Sequence, residues 1–250
     1  MITNPIALQM YTLREMTDAD MRGTLRAVAD LGYRAVEFAS FGGLSAAELR
    51  AELAALGLQA IAVQVALTRL ESELDAALAD LRTLGAPYIV CPWLAPERRD
   101  AEGYHALAQS LNRIGKAAQE AGLQLCYHNH DFEFERYGAQ TGYEILFGET
   151  DPMLVKAELD LYWVAFSGND PVEFIRSLAG RIPLVHLKDM AAESRTFAEV
   201  GQGTLDFPSI LAACDEAGAE WLIVEQDRSE RSPLESVGMS LEYLRSLGRS

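Results

Sequence analysis

Eight times along its 250 residues this chain passes from a short apolar run of strand character into a segment of helical periodicity. The runs are 6–11, 35–39, 59–65, 88–94, 123–130, 155–161, 183–188 and 221–225. Between them, apolar residues recur at steps of three and four. Tyr104, Leu107, Leu111, Ile114 and Ala118 share one helix face, as do Leu234, Val237, Leu241 and Leu244 near the end. Strands that alternate with helices predict a parallel sheet covered by helices, because parallel neighbours need a crossover between them. Eight such units in this length match one closed (β/α)₈ barrel, an α/β domain spanning 1–250. The alternative is a doubly wound open sheet, but no Gly-x-Gly-x-x-Gly follows the first strand. No linker or low-complexity tract divides the chain.

Local punctuation agrees with this reading. Ser45-Ala-Ala-Glu48, Thr141-Gly-Tyr-Glu144 and Ser232-Pro-Leu-Glu235 have the form of capping boxes, and Asp170-Pro-Val-Glu173 is the same device with an aspartate cap. Gly32, Gly57, Gly85, Gly122, Gly180 and Gly218 fall where a helix should stop and the next strand begin.

The strand-like runs end in polar groups. The run from Leu123 breaks into Tyr127-His-Asn-His-Asp-Phe-Glu-Phe134, and side chains two apart on a strand share a face, so His128 and His130 should project together. Other runs end in Gln9 and Tyr11, Glu37, Gln64, Trp93, Glu158 and Asp160, His186 and Lys188, and Glu225 and Asp227. Barrel closure gathers all C-terminal strand ends around one cavity, where barrel active sites lie. Buried carboxylates and imidazoles cost several kcal/mol each unless paired or bound to a cation. Imidazole nitrogen with carboxylate oxygen suits a divalent metal such as Mn²⁺, Mg²⁺, Co²⁺ or Zn²⁺, acting as a Lewis acid on substrate oxygens. A structural zinc site would favour cysteine ligands.

Charge narrows the partners. With 21 Lys+Arg against 37 Asp+Glu the net charge is −16, so neither nucleic acid nor an anionic membrane is an expected partner. No apolar run reaches the roughly 18 residues that span a bilayer, and the N-terminus has no basic region before an apolar stretch. Cys91, Cys126 and Cys214 are scattered, odd in number and in apolar surroundings, which fits reduced core thiols and a cytoplasmic location. No Gly-x-Ser-x-Gly or catalytic-cysteine context points to a nucleophilic enzyme.

Taken together, Gly32-Tyr-Arg-Ala-Val-Glu37, Tyr127-His-Asn-His-Asp-Phe-Glu-Phe134, Glu158-Leu-Asp-Leu-Tyr-Trp163, His186-Leu-Lys-Asp189, Val200-Gly-Gln-Gly203 and Val224-Glu-Gln-Asp227 resemble the xylose-isomerase-like TIM-barrel superfamily. That group includes sugar phosphate isomerases/epimerases, ketose 3-epimerases, inosose dehydratases and family-2 AP endonucleases. The resemblance spans essentially the whole chain in matching order. It implies a metal held by a Glu, an Asp, a His and a second Glu at four strand ends. The last three fall on Asp160, His186 and Glu225. The first falls on His128, a departure that breaks the family's two-glutamate proton relay; Glu158 or Glu133 is then the candidate for the missing carboxylate.

The resemblance further implies a sugar or sugar phosphate substrate whose carbonyl and vicinal hydroxyl meet the metal. Glu225 or His130 would remove the carbon-bound proton to give an enediolate, with Glu158 as a further acid/base candidate and Lys188 beside a substrate oxygen. Proton return gives epimerisation or isomerisation; loss of a β-hydroxyl gives the dehydratase or lyase alternative. Gln9, Tyr11, Glu37, Gln64, Trp93 and Trp163 are the expected substrate contacts, the tryptophans as apolar walls against a sugar's C–H face. The bland readings are plain packing for the tryptophans, a solvated loop start for Lys188, surface for His105, and loop shaping for Gly201 and Gly203. A DNA-repair endonuclease needs a basic face that this chain lacks. A non-catalytic sugar-binding protein would tolerate the His128 departure. Barrels of this kind commonly pair through their outer helices, so a homo-oligomer is an expectation without an identified contact.

Overall fold

The computed structural model describes residues 4–250; residues 1–3, part of the N-terminal stretch without a basic region, lie outside the described residues. Eight parallel strands close a barrel: β1 (Ile6–Gln9), β2 (Ala35–Phe38), β3 (Gln59–Gln64), β4 (Tyr88–Cys91), β5 (Gln124–His128), β6 (Val155–Asp160), β7 (Leu184–Leu187) and β8 (Trp221–Val224). Each pairs with its neighbour in sequence, and β8 closes onto β1 with Ile6 opposite Leu222. The open-sheet alternative is therefore excluded.

Period-two alternation builds the interior. Ala7, Ala35, Ala62, Val90, Cys126, Leu184 and Ile223 form an apolar cluster inside the barrel. Two residues further along six of those strands stand Gln9, Glu37, Gln64, His128, His186 and Glu225. The same inward face is thus apolar at the base and polar toward the C-terminal ends. Small residues dominate the base because eight strands leave room for few large side chains. The alternate residues face outward and pack under the helices in the larger core; helix Ala101–Glu120 buries all five residues of its predicted stripe.

Several runs stop sooner than predicted. β1 ends at Gln9 because the Gln9 side chain accepts from Tyr11 N and starts the 3-10 turn Met10–Leu13, which carries Tyr11. β4 ends at Cys91, before Pro92, so Trp93 is on a loop. β5 ends at His128, and His130 lies in irregular chain past the strand rather than in it. Ser45 and Thr141 make complete capping boxes, and Asp170 accepts from Val172 N and Glu173 N. Ser232 does not cap through its side chain: its hydroxyl accepts nothing from the helix, which starts on Pro233. Gly32 and Gly218 close their helices at φ 105° and 81°, backbone that a side chain would strain. No described helix is long and apolar enough to cross a membrane, and all three cysteines are buried and free.

Candidate active site

Register brings the polar residues together. His128 on β5 pairs with Glu158 on β6, and two residues on, Asp160 pairs with His186 on β7. Ile223 on β8 also stands opposite His186, which sets Glu225, just past the end of β8, on the next inward position. As a result one ligand-capable atom each from His128, Asp160, His186 and Glu225 lies within 4.8 Å of the others.

Hydrogen bonds assign the two faces of each imidazole. His128 Nδ1 donates to Glu158 Oε2 at 3.0 Å, which leaves Nε2 facing Asp160 Oδ2 at 3.6 Å. His186 Nε2 donates to Glu37 Oε2 at 2.8 Å and lies 3.2 Å from Glu158 Oε2, while Nδ1 is 2.6 Å from Glu225 Oε2. Each histidine therefore has a buried carboxylate behind it and its other nitrogen directed at the cluster. That is how proteins hold metal-ligating imidazoles in one tautomer. A deeper trio of Glu37, Glu158 and His186 also has metal-ligand spacing, but it uses the His186 nitrogen already hydrogen-bonded to Glu37. None of that trio lines the cavity, whereas His128 and Glu225 of the upper four do.

Asp160 is oriented by the helix it begins. Its Oδ1 accepts from Tyr162 N (3.0 Å) and Trp163 N (3.2 Å), leaving Oδ2 for the cluster. Asn129 locks the ends of β5 and β6 together, its Oδ1 accepting from Asp160 N and its Nδ2 donating to Asp160 O. Asp189 does the same for the loop after β7. It accepts from the backbone of Gly201, Gly203 and Leu205, and a Cβ at Gly203 would stand 2.3 Å from its Oδ1. Those glycines shape the loop, as expected.

Electrostatics concentrate here. Glu37, Glu158, Asp160 and His186 have no exposure, and Lys188 has 1%. Lys188 Nζ lies 2.9 Å from Asp160 Oδ2, 2.8 Å from Glu225 Oε2 and 2.9 Å from Asp227 Oδ2. Burial opposes its charge, but these three carboxylates raise its pKa well above the ordinary lysine value. Burial likewise opposes charge on Glu225, yet Lys188 and His186 hold it well below the usual carboxylate range. Glu158 is lowered against its burial by His186 and His128, whereas burial and Glu158 together raise Glu37 well above it. Burial disfavours a charged His186 too, but Glu158, Glu37 and Glu225 outweigh it and lift that ring well above its ordinary range. A divalent cation would meet the same carboxylates and compete with that proton for Nδ1. The donor set fits such an ion: two oriented imidazole nitrogens, two carboxylates, and an Asp160 Oδ2 that has no aligned hydrogen-bond partner.

Above the cluster opens a cavity of about 400 Å³, lined by His128, His130, Lys188, Glu225, Gln64 and Trp93 among others. His130 stacks on Phe132 with ring centroids 5.4 Å apart. Glu133 fixes its backbone by accepting from His130 N at 2.7 Å. Burial, with His128 beside it, keeps the His130 pKa well below the ordinary histidine value, and its Nδ1 is buried without a partner. Glu133 accepts from Tyr127 OH at 2.6 Å and is not among the four clustered ligand-capable residues, whereas Glu158 stands directly behind His128.

Of the expected substrate contacts, Tyr11, Gln64 and Trp93 line this cavity, and Trp163 lines an adjoining one. Gln9 and Glu37 do not. Both have no exposure, because Gln9 is turned onto Tyr11 N and Glu37 onto His186. Asn129 and Asp227 went unassigned by sequence reasoning. Asp227 shares the inward parity of Glu225, a usable signal; nothing local marks Asn129. His105 lies on the surface against Glu149.

The model of the xylose isomerase-like TIM barrel family matches residues 25–247. The chain belongs to this family. Among curated relatives, the inosose dehydratase of Geobacillus thermodenitrificans (strain NG80-2) is 33% identical over 166 residues, 58% of this chain and 54% of that protein. The chain therefore spans about half the length of the curated relatives it first matches. The inosose dehydratase of Geobacillus kaustophilus (strain HTA426) is 31% identical over 266 residues, 88% of this chain and 85% of the relative. A crystal structure of a sugar phosphate isomerase/epimerase from Parabacteroides distasonis superposes with a TM-score of 0.86 at 23% identity, covering 98% and 95% of the two chains. At that identity the likeness speaks for the fold.

Proposed function

We propose that this chain is a metal-dependent sugar isomerase or epimerase that removes a proton from the carbon next to a substrate carbonyl. The observation that carries the reading is the pair of buried histidines, each backed by a carboxylate and each presenting its other nitrogen to Asp160 and Glu225. His128, Asp160, His186 and Glu225 would hold the divalent ion, which supplies Lewis-acid polarisation of a bound carbonyl.

The protein's own groups do the rest. His130 is half-buried, lines the cavity and leaves Nδ1 without a partner, so it is placed as the base for the carbon-bound proton. Glu225, held charged by Lys188 and His186, is the second proton-handling group. Lys188 keeps its ammonium at the cluster and donates to a substrate oxygen as negative charge develops. A substrate of sugar size and polarity suits a cavity of about 400 Å³ with these few convergent polar groups.

A second reading, dehydration of a keto-inositol or keto-sugar, is favoured by the inosose dehydratase relatives at 31–33% identity. It shares the proton abstraction and differs in the fate of the neighbouring hydroxyl. The test is elemental analysis of the purified protein together with NMR of α-proton exchange into D₂O across ketoses and inososes. Metal at about one per chain and exchange with an isobaric product support isomerisation; loss of 18 mass units supports dehydration. A protein that binds no divalent ion and exchanges no proton would refute both.

A further inference from the structure

A second cavity of about 590 Å³ adjoins the first and shares Tyr11 and Asp227 with it. Its lining includes Arg14, Arg228, Ser229 and Glu230, but one side of it is built of aromatic rings. Tyr162, Trp163, Phe166 and Phe197 form an aromatic cluster on one side, with Tyr162 and Phe197 centroids 4.4 Å apart and Trp163 and Phe166 centroids 5.6 Å apart. The wall touches the candidate active site directly: Lys188 Nζ is 6.0 Å from the Trp163 ring centroid and 5.8 Å from that of Phe197, and the His130 ring lies 5.6 Å from Trp163.

Tyr162, Trp163 and Phe166 come from the helix that Asp160 starts, and Phe197 from the hairpin Asp189–Met190/Phe197–Ala198 that follows β7. The hairpin is tied onto the cluster by Tyr162 OH donating to Arg195 O at 2.8 Å, with the Arg195 guanidinium 4.8 Å over the Phe166 ring. Arg195 is the one non-glycine residue with positive φ (55°) among the described residues, so the tip is held in place at some cost in backbone strain.

Of the wall's own polar atoms the Tyr162 hydroxyl is bonded to Arg195 O and only Trp163 Nε1 is without a partner, while Arg14 donates to Tyr11 O and Asp227 O. A second sugar ring would bring several hydroxyls to a wall with few free partners, and each unpaired buried hydroxyl costs affinity. A flat apolar group needs no partners and gains from edge and face contacts with the rings.

We propose that the substrate is bipartite, a sugar or cyclic polyol carrying an aryl group, and that the aromatic cavity receives the aryl part while the polar cavity receives the sugar. The inference rests on the sugar reading of the polar cavity only for that half; the aryl subsite stands on its own geometry.

Saturation-transfer NMR on the full-length protein tests it, with phenol, phenyl β-D-glucopyranoside, methyl β-D-glucopyranoside and cellobiose as probes, each with and without EDTA. Aryl protons of phenol and of the phenyl glucoside should receive saturation, in EDTA as well, and cellobiose should not displace them. In Phe166→Leu and Phe197→Leu the aryl dissociation constant should rise roughly three- to tenfold, with Mn²⁺ affinity and circular dichroism unchanged as checks of folding.

No transfer to aryl protons would overturn the proposal, as would transfer unaltered in both variants or displaced as readily by cellobiose. Aryl binding that persists in a protein without metal affinity would sink the proposed function and leave this subsite standing. Metal-dependent proton exchange without aryl binding would do the reverse.

Discussion

Glu158→Gln is the substitution that most directly tests how the site is built. The wild-type carboxylate lies under three donors: His128 Nδ1 at 3.0 Å, His186 Nε2 at 3.2 Å and Gln64 Nε2 at 3.3 Å. All three meet the same oxygen, Oε2, so a glutamine that keeps its carbonyl oxygen there preserves the volume and the acceptor but removes the buried negative charge behind both rings. Removing such outer-shell partners typically weakens metal binding 10- to 100-fold, which is about 1.4–2.7 kcal/mol. Glu37→Gln touches His186 alone and should sit at the lower end of that range.

Isothermal titration with Mn²⁺ at pH 7.5 reads the effect without any assumption about substrate. Because both nitrogens facing the cluster belong to rings that share Glu158, the Glu158→Gln and Glu37→Gln losses should not add in the double variant. An unchanged Mn²⁺ dissociation constant in Glu158→Gln, in a protein with native circular dichroism, would show that the buried carboxylates do not set the imidazoles for a cation.

Three further outcomes are expected. Glu225→Gln should reduce α-proton exchange into D₂O by roughly 10²–10⁴-fold with the fold intact, and normal exchange would remove Glu225 from the chemistry. Burial raises the Glu133 carboxyl from 4.5 to about 7, so the folded state binds this proton more tightly than the unfolded chain. Its contribution is complete below pH 4.5 and is lost as pH rises through about 7, at up to about 1.4 kcal/mol per unit. Urea unfolding of wild type and Glu133→Gln across that window should give diverging curves; parallel ones would refute the assignment. Finally, Cys91 and Cys214 are buried, with burial pushing each thiol up to about 12, so iodoacetamide at pH 8 should modify them only as fast as the protein opens. Mass spectrometry of rapid stoichiometric labelling would contradict this.

The glycine stops and the capping boxes at Ser45 and Thr141 were readable because they depend on residues three or four apart. Ser232-Pro-Leu-Glu235 has the same spelling and its helix begins on Pro233 as that spelling predicts, but the Ser232 hydroxyl makes no bond to the helix. The strand ends overshot at Tyr11, Trp93 and His130 because apolar and aromatic residues continue past the last ladder bond, where Gln9, Pro92 and Asn129 redirect the chain.

What this sequence determined by itself was the barrel and the gathering of acids and imidazoles at one end. Period-two burial within a strand and period-3.6 burial within a helix are local, and eight repetitions leave one closed arrangement. Only the tertiary structure decided what each of those residues faces. The stagger between neighbouring strands sets His128 beside Glu158 and Asp160 beside His186, and so turns Glu37 and Glu158 toward the backs of the rings rather than toward a ligand. The aromatic cavity was invisible for the same reason: its rings come from a helix after β6 and a hairpin after β7, and nothing in either segment encodes the distance between them.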